Sequence, residues 1–184
     1  MNFGINTAAV CEVTGVNGAA DEQTVRGKYE KLTCRLIERG ITFTSMESCT
    51  SGQVASLITD TEGSSAIFKG AFITYSNEAK IQQGVPAQVI QEYGVYSAQT
   101  AISMALACAD AFKADISLGV TGSFGNPDPE NEDSVPGEVW FAISASAKIR
   151  CYHCCIPPQP SRFSYKLYMS DVIADRILDL LNNT

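Results

Sequence analysis

The stretch Ile41-Thr42-Phe43-Thr44-Ser45-Met46 runs directly into Glu47-Ser48-Cys49-Thr50-Ser51-Gly52, and an apolar-periodic segment follows. This order predicts a strand over 41–46 and a helix over 50–59, with Ser48 at the junction. Strand ends and helix N-termini present backbone N–H groups, so a hydroxyl there suits either a nucleophile or an anion-binding loop. Taken alone, a serine before a helix is most often a cap contributing about 1 kcal/mol.

Working outward, the element types alternate. Val25, Tyr29, Leu32, Leu36 and Ile37 recur at helical spacing from Asp21 and stop at Gly40, which suits a C-terminal cap. Residues 1–20 carry no periodicity and read as an irregular lead-in. After the turn Glu62-Gly63-Ser64-Ser65, a second strand is expected over 69–75, then short helices over 77–83 and 86–93. Pro86 opens the latter, where its missing N–H costs nothing. Ser97 caps a longer helix through Phe112, with Ile102, Leu106 and Ala109 on one face. Residues 115–121 form a continuous apolar strand of the kind buried between helical layers. A loop spans 123–136, and strands over 138–145 and 148–156 make a hairpin across Ser146 and Ala147. Pro157, Pro158 and Pro160 break the chain before a closing helix over 161–181, whose Leu167, Val172, Ile173, Ile177, Leu178 and Leu181 face the core. The sum is one domain over 21–184, an α/β fold: a three-layer α/β/α sandwich with a mixed, mostly parallel sheet.

Composition excludes several functions. The 184 residues suit one domain and carry a formal net charge of -7 with a pI near 4.7. Lys and Arg are not clustered, so nucleic acid is not an expected partner. No stretch approaches the roughly 18 consecutive apolar residues of a membrane span, and no basic segment precedes an apolar block, so a cytoplasmic location is expected. Seven cysteines, an odd count, read as reduced thiols. Cys34 and Cys108 lie in helical patterns and are expected as small buried hydrophobes. Cys151-Tyr152-His153-Cys154-Cys155 joins a Cys-x-x-Cys to a histidine, as soft-metal sites do. It has no second ligand pair at a defined spacing, and adjacent strand residues point to opposite faces, so a thiol-lined strand and no metal are expected.

Ligands of open α/β sheets bind beyond the carboxyl ends of parallel strands, which picks out residues 48–52, 75–80 and 121–125. The order and spacing of Glu47-Ser48-Cys49-Thr50, Thr74-Tyr75-Ser76-Asn77-Glu78-Ala79-Lys80, Thr121-Gly122 and Val139-Trp140-Phe141-Ala142 resemble the C-terminal domain of the CinA family, over about residues 21–181. That family includes nicotinamide mononucleotide deamidases. The resemblance implies hydrolysis of the nicotinamide mononucleotide carboxamide to nicotinate mononucleotide and ammonia, in pyridine-nucleotide salvage, by a homo-oligomer with no obligatory metal or organic cofactor. It also implies functional roles for the matching Ser48, Tyr75 and Lys80.

Amide hydrolysis needs a nucleophile, a base, oxyanion donors and a proton for the leaving ammonia. His153, the single histidine, lies in a predicted strand away from the three loops, whereas a Ser-Lys pair is an established alternative. Ser48 is then the nucleophile and Lys80 the base, its pKa lowered by burial or nearby positive charge, with Tyr75 relaying or orienting the proton. Backbone N–H groups of Thr50, Ser51 and Gly52 are placed for the oxyanion or the substrate phosphate, with Thr121 and Gly122 on the opposite side. Arg162, four residues before Lys166, suits the phosphate. Glu47 and Glu78 are read as complements to helix dipoles. Two features depart from the family pattern: Ser51 where the family has glycine, and the acidic segment Asp128-Pro129-Glu130-Asn131-Glu132-Asp133, which repels a phosphate unless its carboxylates point to solvent. They motivate two alternatives, a nucleotide-binding regulatory module without turnover and an amidase for a different small carboxamide.

Overall fold

The computed structural model describes residues 10–15, 20–131, 134–146 and 148–183. In chain order the elements are β1 (Val10–Val13), α1 (Glu22–Arg39), β2 (Phe43–Glu47), α2 (Gln53–Thr59), β3 (Phe68–Ile73), α3 (Asn77–Gln82), α4 (Ala87–Tyr93), α5 (Ala98–Phe112), β4 (Ile116–Gly122), β5 (Glu138–Ala145), β6 (Lys148–Cys155) and α6 (Arg162–Asn182). A 3-10 turn at Ser64–Ala66 leads into β3.

Local chemistry explains most of these boundaries. The Asp21 carboxylate accepts from the Thr24 amide at 2.8 Å to start α1, and Gly40 ends it at φ 62°, a left-handed conformation that costs glycine nothing. The α1 stripe Val25, Tyr29, Leu32 and Leu36 is buried against α2 and α6 on one sheet face. Each such aliphatic side chain contributes about 1.5–3 kcal/mol by leaving water. Ser97 and Ser161 cap α5 and α6 in the same way as Asp21, accepting from Thr100 and Ser164. On the other sheet face α5 packs with α4 beside it. No described helix is long and apolar enough to cross a membrane.

The six strands form one sheet in the order β1-β6-β5-β4-β2-β3. The pairs β1/β6, β2/β3 and β2/β4 are parallel, while β4/β5 and β5/β6 are antiparallel, so the sheet is mixed and mostly parallel. Every residue of the central strands β2 and β4 is buried, as expected for strands covered on both faces. In the β5/β6 hairpin Ala145 pairs with Lys148; Ala147 lies outside the described residues.

Three expectations change. The supposed irregular lead-in contains β1, which pairs with the otherwise open edge of β6; its four mostly exposed residues have no alternation to reveal a strand. In α5 the buried face is Ala101, Ile102, Met104, Ala105 and Cys108, and Leu106 is 42% exposed. That helix is apolar nearly all round, so periodicity alone does not choose its buried side. Cys108 is buried as expected, but Cys34 is exposed on α1.

Candidate active site

The loops after β2, β3 and β4 meet at the carboxyl edge of the sheet around a pocket of about 520 Å³. Glu47, the last residue of β2, is fully buried. Its carboxylate accepts from the amides of Gly52 (3.0 Å), Val54 (3.2 Å) and Ala55 (2.8 Å) and from the Ser45 hydroxyl (3.1 Å). It therefore fills the N-terminus of α2 with the chain's own negative charge. The Ser51 amide donates to the Ser48 carbonyl and the Gln53 amide to the Thr50 carbonyl, both at 3.1 Å.

This corrects the placement expected for Thr50, Ser51 and Gly52. The amides of Ser51 and Gly52 are engaged internally, and none of the three residues lines the pocket. The Thr50 hydroxyl is buried without a hydrogen-bond partner among the described residues. Ser51 holds φ 53°, a left-handed conformation costing a side-chain-bearing residue roughly 1–2 kcal/mol that glycine avoids. Glu47→Ala is expected to destabilise the fold by about 3 kcal/mol, because several amide donors lose a charged acceptor at once. Urea denaturation of the variant checks this, and an unchanged midpoint would refute the carboxylate cap.

Ser48 leaves the sheet with its amide donating to the Val120 carbonyl at 3.1 Å, which aims its side chain into the pocket. Ser76 caps α3 by accepting from the Ala79 amide at 3.1 Å, and Lys80, in the last turn of that short helix, is its buried residue. The Lys80 ammonium donates to Ser48 Oγ at 3.1 Å and to the Thr74 carbonyl at 3.1 Å. Lys80 is 1% exposed. Burial pushes its pKa from 10.5 down to about 8, against the opposing pull of Cys49, Asp128 and Glu78. Burial, then the Glu47 charge, pushes the neighbouring Cys49 thiol up to about 12, so it stays protonated at neutral pH.

Tyr75 sits elsewhere than a proton relay requires. It is 63% exposed at the mouth, where its hydroxyl accepts from Arg162 Nη2 at 3.3 Å, and no hydrogen bond joins it to Ser48 or Lys80 among the described residues. The Arg162 guanidinium also lies 5.7 Å from the centroid of the Phe124 ring, which stacks on Tyr165. Lys166 does not line the pocket. Thr121 is fully buried, and its hydroxyl donates to the Val95 carbonyl at 2.9 Å rather than facing the pocket. Gly122 does line it, and a Cβ there would stand 2.6 Å from the Glu138 carbonyl oxygen.

The acidic loop contributes a wall. Asp128 and Glu130 line the pocket, and Glu132 and Asp133 lie outside the described residues. The Asp128 carboxylate accepts from Tyr96 Oη at 2.6 Å, Asn131 Nδ2 at 2.7 Å and the Glu130 amide at 3.0 Å. The Tyr96 bond first, then the Glu130 amide, hold its pKa below the ordinary carboxylate value. Asn77 Nδ2 donates to Asn131 Oδ1 at 2.8 Å and ties this loop to α3. The sequence marks Asn77 and Asn131 only as members of longer motifs and gives no sign of Tyr96. They act through bonds between segments distant along the chain, which leave no periodic signal.

These features define a small α/β protein whose carboxyl-edge pocket holds a buried lysine on a serine hydroxyl. Residues 26–166 match the family described as CinA C-terminal domain, and the chain belongs to that family. It is similar to the nicotinamide-nucleotide amidohydrolase PncC of Escherichia coli, 42% identical over 118 residues that span 64% of this chain and 71% of that protein. A CinA-like protein of Geotalea daltonii is 37% identical over 135 residues, 73% of this chain and 31% of that one. Among solved structures, a competence-damaged protein (CinA) superfamily member from Escherichia coli aligns with a TM-score of 0.78 at 26% identity, over 88% of this chain and 92% of that one. A superfamily member from Klebsiella pneumoniae gives a TM-score of 0.79 at 20% identity, over 87% and 99%, a likeness of fold.

Proposed function

We propose that this protein is an amidohydrolase that converts nicotinamide mononucleotide and water to nicotinate mononucleotide and ammonia. The observation that carries it is the buried Lys80 ammonium 3.1 Å from Ser48 Oγ inside the pocket. The likeness to PncC supplies the substrate class. Neutral Lys80 takes the Ser48 proton as Oγ attacks the carboxamide carbon, and the resulting ammonium returns that proton to the departing ammonia. Water then attacks the acyl ester, again through Lys80, and releases the acid and free Ser48. The amide of Cys49, a residue that lines the pocket, donates to no main-chain carbonyl among the described residues, and it is the proposed oxyanion donor. Arg162, held by Tyr75, receives the phosphate, and Asp128 faces the positive pyridinium ring.

An amidase for a neutral or cationic carboxamide is the competing assignment, because Glu78, Asp128 and Glu130 share the pocket walls with Arg162. Ammonia release from nicotinamide mononucleotide and from nicotinamide riboside separates the two. The expected result is a preference for the mononucleotide and at least about 100-fold loss of turnover in folded Ser48→Ala. Equal or better turnover of the riboside selects the competing substrate class, and tight mononucleotide binding without ammonia release selects a regulatory module.

A further inference from the structure

A second cluster of reactive side chains lies outside the pocket lining, on the sheet face at the β1/β6/β5 edge. Strand register builds it: Glu12 of β1 pairs with His153 of β6, and Glu138 of β5 pairs with Cys155 of β6. The alternation of β6 sends Cys151 and Cys154 to opposite faces, into separate cores, which dissolves the Cys-x-x-Cys pair. The same alternation puts His153 and Cys155 on one face, and the neighbouring strand supplies the third donor.

We propose that Glu138, His153 and Cys155 bind one borderline-soft divalent cation of the zinc class, with Glu12 holding the imidazole. One donor atom from each of the three lies within 4.8 Å of the others. His153 Nε2 is 3.8 Å from Glu138 Oε2 and 4.0 Å from Cys155 Sγ. Zinc bonds of about 2.3 Å to sulfur and about 2.0–2.2 Å to nitrogen and oxygen set tetrahedral ligand atoms roughly 3.4–3.6 Å apart. The two separations from His153 Nε2 lie within about 0.6 Å of that spacing. His153 Nδ1 lies 3.0 Å from Glu12 Oε2, so its N–H donates there and Nε2 keeps the lone pair that a metal needs. Trp140 stacks on the ring at 4.1 Å between centroids and fixes its plane. Binding releases the Cys155 thiol proton to solvent, and thiolate plus carboxylate then balance the dication's charge. Thiolate, imidazole and carboxylate together favour zinc over magnesium or calcium, which take oxygen donors. Three protein ligands leave the fourth position to water.

The site also touches the pocket loop, because the Ser123 amide donates to the Glu138 carbonyl at 2.9 Å. Its test is independent of amide hydrolysis. Metal-stripped protein is titrated with Zn²⁺ while following fluorescence of Trp140, the single tryptophan of this sequence, and separately with Co²⁺ while following absorbance. The expected result is saturation at one equivalent, with a thiolate-to-cobalt band and tetrahedral visible absorption. Cys155→Ser and His153→Gln, checked for native circular dichroism, should each weaken binding at least about 100-fold, while Glu12→Gln weakens it about 10–100-fold and keeps the cobalt band. Cys34→Ser, altering another exposed thiol, should bind as the parent does. Absence of saturable binding, absence of the thiolate band, or unchanged affinity in Cys155→Ser and His153→Gln overturns the proposal.

Discussion

Lys80→Met is expected to lower amide turnover by about 10²–10⁴-fold while raising the stability of the fold at pH 7. Both effects come from one buried ammonium. In the unfolded chain Lys80 titrates near its ordinary 10.5, and in the fold burial brings it to about 8. Between those values the unfolded chain holds a proton that the folded one has released, so wild-type stability rises with pH across the window. Below about pH 8 the folded protein carries the full cost of the buried charge, about 3 kcal/mol. Methionine fills a similar volume without that cost, though the Ser48 hydroxyl and Thr74 carbonyl lose a donor at about 1 kcal/mol each. The variant should gain about 1–2 kcal/mol at pH 7, and its advantage should shrink and reverse as pH climbs from 8 to 10.5. Chemical denaturation of both proteins at neutral and alkaline pH measures it. A variant less stable than wild type at pH 7 would show that Lys80 is not held against its charge. Wild-type kcat/KM should correspondingly rise with pH through an apparent pKa of about 8, as neutral lysine becomes available.

Gly119→Ala should destabilise the fold by about 4 kcal/mol or more, enough to leave much of the chain unfolded at room temperature. At Gly119 the backbone of α5 lies directly on β4: an added Cβ would stand 2.2 Å from the Ala101 carbonyl oxygen and 2.5 Å from the Ala105 amide nitrogen. Neither atom can swing aside, since both belong to the helix main chain. The Ser117 hydroxyl donates to the Ala105 carbonyl at 2.8 Å and locks the same contact from two residues away. Relief therefore requires α5 to lift from the central strand, exposing Met104, Ala105 and Cys108. Circular dichroism melts of the purified variant provide the measurement. A loss under 1 kcal/mol would mean that α5 shifts with little cost.

Much of the layer architecture was legible because caps and periods are local. Asp21 and Gly40 bracket α1, Ser97 and Ser161 open α5 and α6, and the unbroken apolar run of β4 marks a strand covered on both faces. Where local signals were weak, the structure differs. The strand Val10–Val13 depends on the open edge of β6, and the buried side of α5 depends on which small residues meet Gly119. Tyr75 shows the same limit at the site: its motif marks the pocket mouth, while its partner Arg162 comes from α6, 87 residues away.

The sequence by itself determined that strands and helices alternate and that three carboxyl-edge loops carry the polar residues. It does so because hydrophobic period, capping and turn chemistry act over a few residues. Only the tertiary structure decided that Lys80 meets Ser48 across 32 residues, that Glu47 occupies the α2 amides, and that Glu138 lies beside His153 and Cys155. Those meetings follow from strand order and register, which are fixed by the packing of distant elements and leave no mark in the spacing along the chain.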